Sequence, residues 1–272
     1  MMRVMQFDVP SERWSVEWVA ETGSTNADLL AQASDGAPEG LVLIAGSQRT
    51  GRGRLDRTWD APPGSGLLVS VLLRPQLELS QMHLVVIAVA LAAADAAEDV
   101  TGVRPLLKWP NDLLGVAADG SVAKLAGILA ESGAPGPSPV TNQPSPYPPL
   151  VVGMGLNLHR PDALPADMGA RAIYLDELAP GGGGEVSREE VAKAWLGSLT
   201  EWYQATSSRE GRAELINAWK ADLATIGREV RAYQHHGDIA GQAIDVTEHG
   251  ALVIRTGSGT VEVHAGDVIH LR

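Results

Sequence analysis

From Leu84 to Ala94 the chain runs eleven residues without a polar side chain, and Asp95 ends the run. A bilayer crossing needs about 20 apolar residues, so this stretch is too short to span a membrane. It predicts instead a long, mostly apolar helix over Gln81 to Val100. A helix that is apolar on all sides must be enclosed, so the rest of the chain has to supply walls around it.

Candidate walls are present. Leu41 to Ala45, Gly66 to Leu73, Val122 to Glu131 and Leu150 to Leu156 read as buried strands. Leu106 to Val116 reads as a strand, a Trp-Pro-Asn-Asp turn and a second strand. Ser24-Thr25-Asn26 stands before a helix-forming run and predicts a hydroxyl-capped helix start. Ser187 to Ala205 and Glu210 to Ala224 read as amphipathic helices, the first with Ser187 and Glu190 in capping-box spacing. After Gly227 the texture changes. Five short β-rich pieces (Glu229–Tyr233, Ile239–Val246, Ala251–Thr256, Thr260–His264, Val268–Leu271) alternate with turns, the pattern of a small β-barrel. A boundary near Ile226 is expected, giving one domain over 1–225 and another over 226–272, which a chain of 272 residues accommodates. Ala134 to Pro149 holds seven of the 17 prolines and reads as a long exposed hairpin loop, and Gly181 to Gly184 as a surface break.

The absence of cysteine excludes a disulfide scaffold and a thiolate metal site, and fits a reducing cytoplasm. Met1 to Ser15 has no apolar core of a secretory signal. A cytoplasmic protein without membrane association is expected. The net charge of −12 excludes a general nucleic-acid binder, so any anion site must be local. One local candidate stands out. Counting Arg49, four arginines fall within nine residues in and before Gly51-Arg52-Gly53-Arg54-Leu55-Asp56-Arg57-Thr58-Trp59. Arginine forks suit carboxylate and phosphate oxygens, and the two glycines let the backbone turn tightly.

Gly46 to Gly53 has the glycine spacing of a phosphate-binding P-loop, but Arg52 stands in the lysine position and Gly53 replaces the magnesium-binding hydroxyl. A Walker-type nucleotidase is therefore excluded. Gly51-x-Gly53 and Gly153-x-Gly155 each begin a dinucleotide fingerprint that neither completes. Asn111-Asp112 after Pro110 is either plain turn chemistry or an amide and a carboxylate facing a cation or a ribose. Lys124, at the head of a buried strand, either snorkels to water or supplies a point charge to a reacting carboxylate or phosphate. The seven histidines show no ligand spacing. Trp59 rides in the arginine loop, where its ring can pack on a flat ligand.

The order of these motifs is specific. Gly23-Ser24-Thr25-Asn26, Gln48-x-x-Gly51-Arg52-Gly53-Arg54-x-x-Arg57-x-Trp59, Lys108-Trp109-Pro110-Asn111-Asp112, Lys124-Leu125-Ala126-Gly127-Ile128-Leu129 and Gly153-x-Gly155-x-Asn157 together resemble the biotin protein ligases, over about residues 16 to 160. The β-rich end looks like the family's SH3-like C-terminal domain. The resemblance implies an α+β fold, a mixed β-sheet with helices on one side, related to class II aminoacyl-tRNA synthetases. It implies ATP and Mg2+ as co-substrate and ion, biotin as substrate, and a biotin carboxyl carrier domain of an acyl-CoA or pyruvate carboxylase as partner, in a monomer or homodimer.

By the same resemblance, Ser24, Thr25, Asn26, Gln48, Gly51, Arg52, Arg54, Lys124, Gly127 and Gly155 are expected around biotin. Arg52, Arg54, Arg57, Trp59, Lys108, Asn111, Asp112, Lys124 and Asn157 are expected around ATP and the adenylate, with Asp112 on magnesium and Trp59 near the adenine. Lys124, Arg54 and Arg52 are expected to be catalytic. About 20 residues precede Ser24, too few for the helix-turn-helix of repressor-type relatives, so a ligase without DNA binding is expected. The rival readings are a lipoate- or octanoate-transferring enzyme, which lacks this arginine loop or uses a cysteine, and a regulator that binds the adenylate as a signal.

Overall fold

A computed structural model describes residues 12–134, 147–162, 172–178, 186–234 and 237–271. Its elements run β1 (Ser15–Val19), α1 (Thr25–Ser34), β2 (Leu41–Ala45), β3 (Gly66–Leu73), α2 (His83–Thr101), β4 (Leu106–Lys108), β5 (Asp112–Val116), β6 (Val122–Ser132), β7 (Leu150–Asn157), α3 (Arg188–Ala205), α4 (Arg209–Asp222), β8 (Glu229–Tyr233), β9 (Ile239–Val246), β10 (Leu252–Thr256), β11 (Gly259–Val263) and β12 (Asp267–His270). The expected elements are present. The addition is β1, whose half-buried side chains and internal Glu17 give it no apolar run. The proline-rich segment falls largely outside the described residues, as do Gly181–Gly184 and His235-His236.

The first seven strands form one sheet in the order β1-β2-β3-β7-β6-β5-β4. β1 and β2 are parallel, and the other neighbours are antiparallel, so the sheet is mixed. Successive side chains point to opposite faces. Val42, Ile44, Val71, Leu73, Leu150 and Val152 join the main core beneath α2, α3 and α4. Leu43, Leu72 and Val151 point the other way and pack against Leu29 and Ala33 of α1. The expectation of helices on one side is thereby corrected. Three long helices cover one face, and α1 covers part of the other.

The apolar helix is enclosed as its composition requires. Every residue of α2 from Leu84 to Leu91 except Val86 is buried. Trp195 of α3 is fully buried against it, with its indole N–H 3.4 Å from Val89 O. Asp95, which interrupts the apolar run, accepts hydrogen bonds from Arg104, Ser198 and Trp202. A carboxylate within a helical wall is tolerable when so paired. Gly102 then ends the helix at φ 72°, the left-handed conformation of a helix stop.

The last five strands form a second, antiparallel sheet, ordered β11-β10-β9-β8-β12, with a bulge at Val253/Ile254. Among the described residues no ladder joins β11 to β12, so the expected barrel is an open five-stranded sheet by its pairing. The two sheets meet at the Trp-Pro-Asn-Asp turn. Trp109 donates its backbone N–H to Thr225 Oγ1 at 3.0 Å and its indole N–H to Gly250 O at 3.0 Å. Among the described residues, no helix is long and apolar enough to cross a membrane.

Candidate active site

The floor of the site is backbone. Gly127 of β6 and Gly155 of β7 face each other in register at the centre of the first sheet. The Trp59 ring lies on them. A Cβ at Gly155 would come within 2.3 Å of Trp59 Cε2, and one at Gly127 within 3.0 Å of both Trp59 Cζ3 and Lys124 Nζ. Only glycine leaves room for a flat ring here.

One wall is the first turn of α1. Ser24 caps the helix by accepting from Ala27 N–H, which brings Thr25 and Asn26 to the sheet. Gln48 Oε1 accepts from Thr25 N–H at 2.8 Å and from Thr25 Oγ1 at 3.1 Å. Ser70 Oγ stands 2.6 Å from both Thr25 Oγ1 and Asn26 Oδ1. Asn26 Nδ2 donates to Leu129 O and Glu131 Oε2. Asn26 thus braces the wall with both ends of its amide in use.

The glycine-arginine loop covers the floor as a strap closed on itself. Trp59 N–H reaches Gly51 O at 3.0 Å, and Gly53 N–H reaches Arg57 O at 2.7 Å. The turn passes through Leu55 and Asp56 at φ 55° and 56°, a left-handed conformation uncommon outside glycine. Arg52 NH1 lies 3.0 Å from Glu131 Oε1. Arg54 donates to Asn111 Oδ1 at 3.0 Å and to Gly266 O at 3.1 Å, and Arg57 pairs with Asp267. Burial lowers the Arg54 pKa, against the pull of Asp112 and Asp267. Burial pushes the Asp267 pKa up, but the hydrogen bond and charge of Arg57, joined by the charges of Lys108 and Arg54, together hold that carboxyl below its ordinary value.

Lys124 Nζ sits 2.7 Å from Asp112 Oδ1 and 5.4 Å from the Trp59 ring centroid. The strap and Lys124 therefore present four cations over a neutral floor, beside a wall of hydroxyls and amides. That arrangement suits a substrate with an uncharged polar head and an anionic reacting end.

Ser24, Thr25, Asn26, Gln48, Arg52, Arg54, Arg57, Trp59, Asn111, Asp112, Lys124, Gly127 and Gly155 all line one cavity. Three expected residues stand outside its lining. Gly51 closes the base of the strap, Lys108 stands behind Asp112 at 4.0 Å, and Asn157 braces the sheet by donating to Lys124 O and Ile173 O. Ser70, Glu131, Gly153 and Asp267 escape the sequence reading as site residues. Ser70 carried a signal, being the lone polar residue of its strand.

As a magnesium ligand Asp112 does not fit this arrangement. One of its oxygens is taken by Lys124 and the other faces Lys108, while Asn111 Oδ1 accepts from Arg54. Among the described residues no group of three histidine, aspartate or glutamate side chains is placed to hold a metal.

Comparisons with known proteins show the family. The Biotin/lipoate A/B protein ligase family matches residues 19–138, and the Biotin protein ligase C terminal domain matches residues 225–271. The biotin--[acetyl-CoA-carboxylase] ligase of Mycobacterium tuberculosis is 36% identical over 93% of this chain and 88% of its own length. The enzyme of the same name from Paracoccus denitrificans is 32% identical over 92% and 98%. A solved biotin protein ligase from Aquifex aeolicus, in complex with biotin and ATP, superposes with a TM-score of 0.77 at 26% identity, over 94% of this chain and 99% of that one. The chain belongs to the biotin protein ligase family.

Proposed function

We propose that this chain joins biotin to a carrier protein in two ATP-dependent steps. The biotin carboxylate attacks the α-phosphate of ATP, giving biotinyl-5′-AMP and releasing pyrophosphate. The ε-amine of a carrier lysine then attacks the activated carbonyl, AMP leaves, and an amide remains. The observation that carries this reading is the shared floor. A neutral hydrogen-bonding wall and a clamp of Arg52, Arg54, Arg57 and Lys124 converge on Gly127 and Gly155.

Both reactants of the first step are anions, so the site has to cancel their repulsion and hold them in line. Ser24, Thr25 and Gln48 are assigned to the biotin head group. Lys124, between the Trp59 ring and Asp112, is assigned to the reacting carboxylate and α-phosphate, and Arg52 and Arg54 to the developing phosphate charge. Trp59 and Asn111 are assigned to the nucleotide side. Magnesium is assigned to the phosphates of ATP rather than to Asp112. The carrier is assigned to the biotin carboxyl carrier domains of acyl-CoA or pyruvate carboxylases, of which the relatives' names give acetyl-CoA carboxylase. A division into 1–225 and 226–272, a cytoplasmic location and no DNA binding complete the reading.

The test is pyrophosphate exchange into ATP with biotin, lipoate, octanoate or no acid, magnesium being present throughout. Exchange with biotin alone is expected. Exchange that prefers lipoate or octanoate would move the substrate to the sister enzymes, and none with any acid would leave a ligand-binding regulator.

A further inference from the structure

The carboxylate of Glu131 receives donors from two sides of the site. Asn26 Nδ2 donates to Oε2 at 2.8 Å, and Arg52 NH1 lies 3.0 Å from Oε1. The Asn26 side is fixed. That residue is 4% exposed and is tied also to Ser70 and Leu129 O. The Arg52 side is loose. Its side chain is 42% exposed, and its backbone bridges to Thr58 of the same strap. Glu131 does not line the cavity over the Gly127–Gly155 floor, so it reaches a ligand there through two lining residues, the fixed Asn26 and the loose Arg52.

The strap needs such fastening. It carries three arginines against the single acid Asp56, and their mutual repulsion favours an open loop. Its second flank is fastened from the other sheet, by Gly266 O on Arg54 and Asp267 on Arg57. Glu131, at the end of the strand that supplies Gly127, is the matching anchor on the first sheet.

We propose that Glu131 is a positioning residue, an electrostatic latch that acts through Arg52 to hold the glycine-arginine strap shut over the bound adenylate. The identity of that ligand rests on the function proposed above, whereas the fastening of the strap does not. Glu131→Gln separates the two contacts. It keeps an amide oxygen for Asn26 and removes the charge that holds Arg52. Glu131→Ala removes both.

The experiment has two arms. In the first, limited trypsin digestion of the ligand-free protein reads cleavage after Arg54 and Arg57. Glu131→Gln should be cut about three- to fivefold faster than the parent, the size of effect a half-exposed ion pair supports. Combining it with Arg52→Gln should add nothing, since the two side chains act as one pair. In the second, release of preformed biotinyl-5′-AMP should quicken by a similar factor in Glu131→Gln. Glu131→Ala should match Glu131→Gln in the trypsin arm and add a rise in KM for biotin. Parent-like cleavage in Glu131→Gln, or additive effects in the double variant, would overturn the latch. So would slowed formation with unchanged release, which marks a disturbed wall. If the parent itself shows no biotin-dependent exchange, the ligand assignment fails and the trypsin arm still decides the latch.

Discussion

Ser70 and Val71 are neighbours on β3, both fully buried, and they point to opposite faces of one sheet. Val71 meets valine, leucine and alanine beneath α2 and α3. Ser70 meets Thr25 Oγ1 and Asn26 Oδ1 at 2.6 Å each. On the first face, volume and apolarity suffice, and many side chains of similar size would serve. On the second, the polar atoms around Ser70 are partnered with one another, and replacing one atom leaves another stranded. The same backbone therefore carries a tolerant face and an exacting one, offset by a single residue.

Substitutions can break that contrast. On the exacting face, Lys124→Ala should lower biotin-dependent pyrophosphate exchange by about 10²- to 10³-fold, the usual cost of losing one preorganised charge stabiliser. Its thermal melt should stay that of the parent, because the ammonium is 38% exposed and fills no core. On the tolerant face, fully buried Leu91→Ala should cost about 2–5 kcal/mol in denaturant unfolding and leave the KM for biotin unchanged. Equal effects on activity and stability in both variants would erase the contrast. Ser70→Ala is the sharper probe, since it lies in the core and serves the wall. It should raise the KM for biotin about tenfold through the unpaired Thr25 and Asn26 groups, with kcat little changed in steady-state kinetics.

The smallest expected effect concerns pH. Burial is the main cause that lowers the His83 pKa to about 4. The ordinary value is 6.5, so the unfolded chain takes up this proton first as pH falls. His83 should therefore subtract stability progressively from about pH 6.5 down to about pH 4, and leave it untouched above that range. Urea melts of His83→Gln across this window should show a flatter pH dependence than the parent.

The tolerant face was legible in the sequence because its code is local. The run from Leu84 to Ala94 and the strand-length apolar segments announce enclosure by themselves. The motif residues were legible too, and thirteen of the sixteen expected around the ligands line one cavity. What escaped depends on distant partners. Glu131 gains its meaning from Asn26 and Arg52, which stand 105 and 79 residues away in sequence. β1 is only five residues long and alternates Ser15 and Glu17 with Val16 and Trp18, too short a pattern to announce itself without its parallel pairing with β2. The placement of α1 opposite the other helices follows from a one-residue offset, Leu43 and Leu72 against Val42 and Val71, which no single segment displays.

Trp109 has a consequence for how the whole molecule melts. Its ring is 2% exposed, and its two N–H groups are committed to Thr225 and Gly250 beside the second sheet. Asn111 and Asp112, two and three residues further on, hold Arg54 and Lys124. Losing the C-terminal strands would therefore strand a buried indole and let Arg54 and Lys124 drift. The two sheets share one cooperative transition on this account, with a single calorimetric endotherm. Biotin-dependent exchange should then be lost on heating together with both sheets, within that one endotherm.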